Sequence, residues 1–162
     1  MDATDQRQAP STDLSTPTQV HHLVTAFYRE ITFDPLLAPL FDEVAEVDWS
    51  THIPRLIDYW CWILFRRGTN DGDVVSVHRH LHAQRRLEPA HCDRWFDLWS
   101  TCIGERWAGP LADRAEQHAA TLMAGLAKHV FGFTWTAPGR HPELAVIGTR
   151  PTPSPSEQHE AP

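Results

Sequence analysis

Three histidines at every second position, His78, His80 and His82, stand in the stretch VHRHLHAQRRL. Imidazole is the commonest metal ligand among side chains, so this stretch is where chemistry would be sought first. On a helix, His78 and His82 lie four apart and share a face, while His80 points elsewhere. Three readings stay open: a metal cluster, one axial ligand with bystanders, or a solvated polar face. Three more polar side chains sit on or beside apolar stripes, where a polar tip needs a partner. They are Tyr28 in FYREI, His52 in DWSTHIPRL and Trp95 in HCDRWFDLW. Taken singly, each reads more simply as a core residue bonded to its surroundings.

The elements that must position these residues are helical. Thr16 followed by Pro17 is a start signal, a hydroxyl cap and then proline in the first turn. Val20, Leu23, Val24, Phe27 and Ile31 form a stripe at helical spacing that ends at Asp34-Pro35. A second helix is expected over 52–66, with His52, Leu56, Tyr59, Trp60 and Ile63 on its buried face. Thr51 as its cap would place Pro54 in the first turn, where N–H groups lack helical partners. The stretch 67–73 reads as a turn, 74–84 as a short helix, 89–107 as a helix opened by Pro89, and 111–131 as a long last helix. No internal repeat and no sustained period-two run is present, so the expected fold is all-α.

The chain has 162 residues and a formal charge of -7, which argues against a nucleic-acid partner. It has no apolar run long enough to span a bilayer and no basic-then-apolar start, so no membrane role is expected and the expected compartment is the cytoplasm. Cys61, Cys92 and Cys102 are too few and too far apart for a disulfide frame or a zinc knuckle. The polar stretch 1–15 reads as a disordered leader and 16–136 as the folded domain. Residues 137–162, with six of the thirteen prolines, read as a disordered tail.

In chain order the segments FYREI, DPLLAPLF, Trp49-x-x-His52, a histidine thirteen residues before Trp95, HCDRWFDLW and WAGP span about 20–130. Together they resemble the truncated haemoglobins, and among them the third group. The resemblance implies the truncated globin fold, a two-over-two helical sandwich around haem. The haem would be haem b, held without covalent bonds, since no C-x-x-C-H is present. It implies Tyr28, His52 and Trp95 as distal residues that stabilise a bound ligand. It implies Phe41, Arg55, Leu56 and His82 as haem contacts. His82 is the implied proximal iron ligand, with His78 in reserve on the same helix face. Cys92 and Trp99 stand where the family has phenylalanine. Arg55 suits a haem propionate, because its planar fork matches a carboxylate; Arg85 and Arg86 are weaker candidates.

The implied partners are O2, NO and CO-type ligands. Hydrogen bonds from the distal donors predict tight binding, suited to NO or peroxide chemistry with a separate reductase, in a monomer or weak dimer. Two rivals need no haem: a helical protein binding metal through His78, His80 and His82, and a helical adaptor that exposes its tryptophans.

Overall fold

The computed structural model describes residues 10–68 and 72–139. Five α-helices are found there: α1 (Pro17–Phe33), α2 (Trp49–Phe65), α3 (Val74–Gln84), α4 (Pro89–Gly104) and α5 (Pro110–Leu126). Two π-helical turns, Leu40–Val44 and Ala127–Phe131, complete the architecture, and no strand occurs among the described residues. Helices α1 and α2 pack on each other, and so do α4 and α5. The two layers meet through α1 on α4 and α2 on α5.

Helix α1 starts as its residues dictate. The Thr16 hydroxyl accepts the Gln19 N–H at 3.2 Å, and the Gln19 side-chain oxygen accepts the Thr16 N–H at 2.9 Å. Its stripe Val20, Leu23, Val24, Phe27, Tyr28 and Ile31 is buried. Its end is fixed by Asp34, whose carboxylate accepts the N–H groups of Leu36 and Leu37. The same buried carboxylate pairs with Arg94 at 2.5 Å, tying the end of α1 to α4.

Helix α2 begins earlier than Thr51. Its cap is Asp48, whose carboxylate accepts the Ser50 N–H at 3.1 Å and both the Ser50 and Thr51 hydroxyls. A carboxylate that takes three donors outcompetes a lone hydroxyl as a cap. Pro54 therefore lies inside the helix, and the Ser50 carbonyl loses the N–H it would otherwise accept.

The predicted last helix over 111–131 divides into α5 and the π turn Ala127–Phe131, closed by Gly132 at a φ of 84°. Helix α5 starts at Gly109, which offers no side chain. The cap comes instead from Asp13, whose carboxylate accepts the Leu111 and Ala112 N–H groups at 3.0 and 2.9 Å. Gly109 has a φ of 145°, and a Cβ there would lie 2.7 Å from Asp13 Cγ, so the close approach requires glycine. Leu14 is fully buried, and the Thr12 carbonyl accepts the Ala108 N–H. Packed structure thus reaches back to residues 12–14, ahead of the expected boundary at 16. Residues 1–9 of the expected leader and 140–162 of the expected tail lie outside the described residues.

Helix α3 differs from the other four. None of its residues is buried, and it packs against the two π turns rather than into either helix layer. It hangs beside the sandwich with its histidines on it.

Candidate functional site

The first half of the site is an aromatic cluster built by α1, the Leu40–Val44 turn and the first turns of α2. The Tyr28 ring touches Phe41, Trp49 and His52 at centroid distances of 5.9, 5.6 and 5.7 Å. Phe41 stacks on Trp49 at 5.7 Å, and Trp49 meets His52 edge-on at 6.0 Å. Phe27 extends the cluster to Tyr28 at 4.9 Å and to Trp95 at 5.3 Å. The three distal candidates are therefore brought to one region, with Phe41 among them. Leu56 is partly buried against the same core, and Arg55 is exposed.

Their polar atoms are unpaired. Among the described residues, no hydrogen bond is found for the Tyr28 hydroxyl, the His52 ring or the Trp95 indole N–H. Yet Tyr28 is only 7% exposed. Burial pushes its phenol well above the ordinary tyrosine range, so it stays protonated and keeps an O–H to donate. Burial holds His52 below the ordinary histidine value, with Arg55 and His78 adding to the shift, so the ring is neutral at pH 7. Tyr28 is buried and His52 and Trp95 are half-buried, so three donors without protein partners there face one region where a ligand could take them up.

The second half is α3. A carbonyl accepts only, so the 2.8 Å contact from His78 Nδ1 to the Val74 carbonyl puts the proton on Nδ1. Nε2 then carries the free lone pair. Burial holds His78 neutral, opposed by that backbone bond. The ring leans on Phe131 at 6.3 Å. His82 is arranged the other way. Its Nδ1 accepts the Leu87 N–H at 3.0 Å, so in the neutral ring the proton sits on Nε2. That bond ties the end of α3 to the following segment, and the ring lies on Phe131 at 5.3 Å. His80 is exposed.

No three His, Cys, Asp or Glu side chains among the described residues converge to hold a metal ion. The non-haem cluster of His78, His80 and His82 is thereby removed. Arg85 reaches Glu43 at 3.8 Å in an exposed pair that contributes little, whereas Arg55 has no ion pair among the described residues. Trp49 and Phe131 belong to the site and were not singled out from sequence. Trp49 was visible in the Trp-x-x-His spacing; Phe131 closes an apolar stripe and carried no polar signal.

A crystal structure of the group III truncated haemoglobin from Campylobacter jejuni superimposes on this chain with a TM-score of 0.65, over 75% of this chain and 97% of that one, at 16% sequence identity. The likeness shows the fold: the chain folds as a truncated globin. No protein-family description matches the sequence, and no curated protein matches it.

Proposed function

We propose that this chain is a haem-binding globin that holds O2-type diatomic ligands, with His78 rather than His82 as the axial iron ligand. The observation that carries the reading is the pair of opposite tautomers on α3. His78 donates through Nδ1 to a backbone carbonyl, the usual companion of a metal-ligating histidine, and keeps Nε2 free. His82 has its proton on the nitrogen that would have to bind iron. The donors of Tyr28, His52 and Trp95 gather in one aromatic cluster, and the donor set suits haem b held without covalent bonds.

Bound there, haem would supply an open iron position for O2, NO, CO or peroxide. His78 Nε2 would hold the iron. Phe41, Leu56 and Phe131 offer apolar surface for the macrocycle, and Arg55 is free to pair with a carboxylate of its rim. Tyr28 O–H, His52 N–H and Trp95 N–H would donate to ligand atoms that gain negative charge. Each such bond is worth about 1.5–3 kcal/mol, which favours slow release and therefore chemistry on the held ligand over delivery. NO oxidation or peroxide reduction fits best, with electrons from a separate donor protein. The three cysteines are unpaired and buried, in keeping with a reducing cytoplasm.

The test is the absorption spectrum of the reduced protein with and without CO, for wild type, His78→Gly and His82→Gly. The expected result is a Soret band with a CO shift in wild type and His82→Gly. In His78→Gly the band should be degraded and restored by free imidazole. Loss in His82→Gly alone returns the ligand to His82. No Soret band in wild type supplied with haemin refutes the haem reading.

A further inference from the structure

We propose that the stacked rings of Trp95, Trp99, Trp60 and Tyr59 carry electrons into the Tyr28–His52 pocket from a cleft between α2 and α5, where an anionic phenol binds and is oxidised. The inference rests on the haem reading, which supplies the oxidised centre at the inner end.

The rings form an unbroken file across the sandwich. Trp95 and Trp99 lie 6.1 Å apart with planes 10° from parallel. Trp99 and Trp60 stack at 4.4 Å and 24°. Trp60 meets Tyr59 edge-on at 5.5 Å. The middle of the file is sealed: Trp99 is 0% and Trp60 4% exposed. The Trp99 indole N–H faces the Ala115 carbonyl at 3.4 Å, an acceptor that does not take up a proton. A positive charge on Trp99 is thus passed on rather than trapped by proton loss. The outer end is different. The Tyr59 hydroxyl lies 2.6 Å from His118 Nε2, a pairing in which the phenol can release its proton as it releases an electron. Burial, with Arg114 and Arg66 adding to the shift, keeps His118 neutral and able to accept.

His118 also lines a cleft of about 390 Å³, large enough for a small aromatic molecule. Arg66 and Arg114 stand in it, with no ion pair among the described residues. Trp62 offers its ring there, with the Arg66 guanidinium 5.0 Å from the ring centroid. Two unpaired arginines beside an indole suit a planar anion, with carboxylate to guanidinium and ring to ring.

The balance is that of a peroxidase. Hydrogen peroxide takes two electrons and two protons and becomes two waters. Each electron leaves Tyr59 along the tryptophans while its proton moves to His118. Each phenol then gives one electron to the tyrosyl, the proton held on His118 returns to the Tyr59 oxygen, and the phenol leaves as a phenoxyl radical after losing its proton to solvent, which supplies the two protons that peroxide takes up. Two phenols are consumed per peroxide.

The chain contains two tyrosines, so a tyrosyl radical can be assigned without ambiguity. Haem-loaded wild type, Tyr28→Phe and Tyr59→Phe are mixed with hydrogen peroxide, frozen and read by electron paramagnetic resonance. The tyrosyl signal should persist in Tyr28→Phe and vanish in Tyr59→Phe, which keeps its ring and its packing. Ferulate, an electron-rich phenol with a carboxylate, should quench the signal at concentrations about tenfold or more below neutral guaiacol. That advantage should disappear in Arg66→Gln/Arg114→Gln. A peroxide-reactive Soret band with no tyrosyl signal, or a signal that follows Tyr28, overturns the proposal and leaves the stack as core packing. Equal quenching by both phenols overturns the anionic cleft. Absence of any Soret band removes the haem reading and this inference with it.

Discussion

Tyr28→Phe separates ligand chemistry from folding, because the two should respond in opposite directions. The Tyr28 hydroxyl has no hydrogen-bond partner among the described residues, so removing it breaks no bond among them. It also removes a largely buried polar tip; full burial of an unpaired one costs about 1–3 kcal/mol, and the residual exposure of Tyr28 lowers that figure. Phenylalanine keeps the ring that meets Phe27 at 4.9 Å and Trp49 at 5.6 Å. The variant should therefore unfold at the wild-type temperature or above it, by roughly 3–5 °C per kcal/mol for a domain of this size. Ligand release should move the other way. One donor to a partly charged ligand atom contributes about 1.5–3 kcal/mol. At about 1.4 kcal/mol per decade, that is about a 10- to 150-fold faster O2 dissociation. Stopped-flow release from the ferrous haem-loaded protein, alongside thermal unfolding, reads both. A release rate changed less than about twofold would mean that Tyr28 does not reach the ligand. A melting temperature several degrees lower would mean that the hydroxyl has a structural partner, and the ligand-pocket argument would fail at its base.

Three other substitutions probe the frame that holds the pocket. Ser100 is buried with its hydroxyl unpaired, so Ser100→Ala should raise stability in urea unfolding by about 1 kcal/mol. Asp13→Asn should lower it by about 1–2 kcal/mol at neutral pH, since the carboxylate caps α5. Burial opposes the Asp13 charge, but the N–H groups of Leu111, Ala112 and Leu14 hold its carboxyl below the ordinary range. The contribution is therefore present above the unfolded value, about pH 4, and fades as pH falls through the folded one, so acid titration of stability should converge for wild type and Asp13→Asn. Arg94→Met leaves the buried Asp34 carboxylate with its backbone donors alone. Because Arg94 is 43% exposed, the loss should be about 2 kcal/mol, below the 3–5 kcal/mol of a fully buried pair.

Much of this architecture is written locally. Thr16-Pro17 and the stripe from Val20 to Ile31 specify α1, and Asp34-Pro35 stops it, because caps and helical spacing act over a few residues. The start of α2 was less legible. Asp48, Ser50 and Thr51 are all competent caps, and only the three donors gathered by the Asp48 carboxylate decide among them. The role of residues 12–14 was not legible at all. Asp13 caps a helix that begins almost a hundred residues later, at a glycine that supplies no cap of its own. Pairings of that range leave no periodic trace. The same division runs through the site. Tyr28, Phe41 and His52 are assigned to the site only through the family resemblance that the order of the motifs carries. Their meeting with Trp49 depends on the turn Leu40–Val44 folding α2 back over α1.

The histidine stretch shows why spacing alone stops short. His82 stands thirteen residues before Trp95 and His78 seventeen, so spacing favours His82, while the shared helix face keeps His78 in reserve. What separates them is which backbone group each Nδ1 meets. Val74 lies one turn before His78 within α3, where its carbonyl is available to a side chain four residues on. Leu87 lies beyond the end of α3, where a free N–H seeks an acceptor and finds His82. A donor on one side and an acceptor on the other give the two imidazoles opposite tautomers, and only one leaves Nε2 with a lone pair. Helix α3 buries none of its residues fully, and Val74 and Leu81 lay its partly buried side against the core. The bond from Leu87 to His82 helps fix the end of the helix on which His78 stands. On the proposed assignment of iron to His78, the neighbour that spacing favours is better placed to hold the end of that helix.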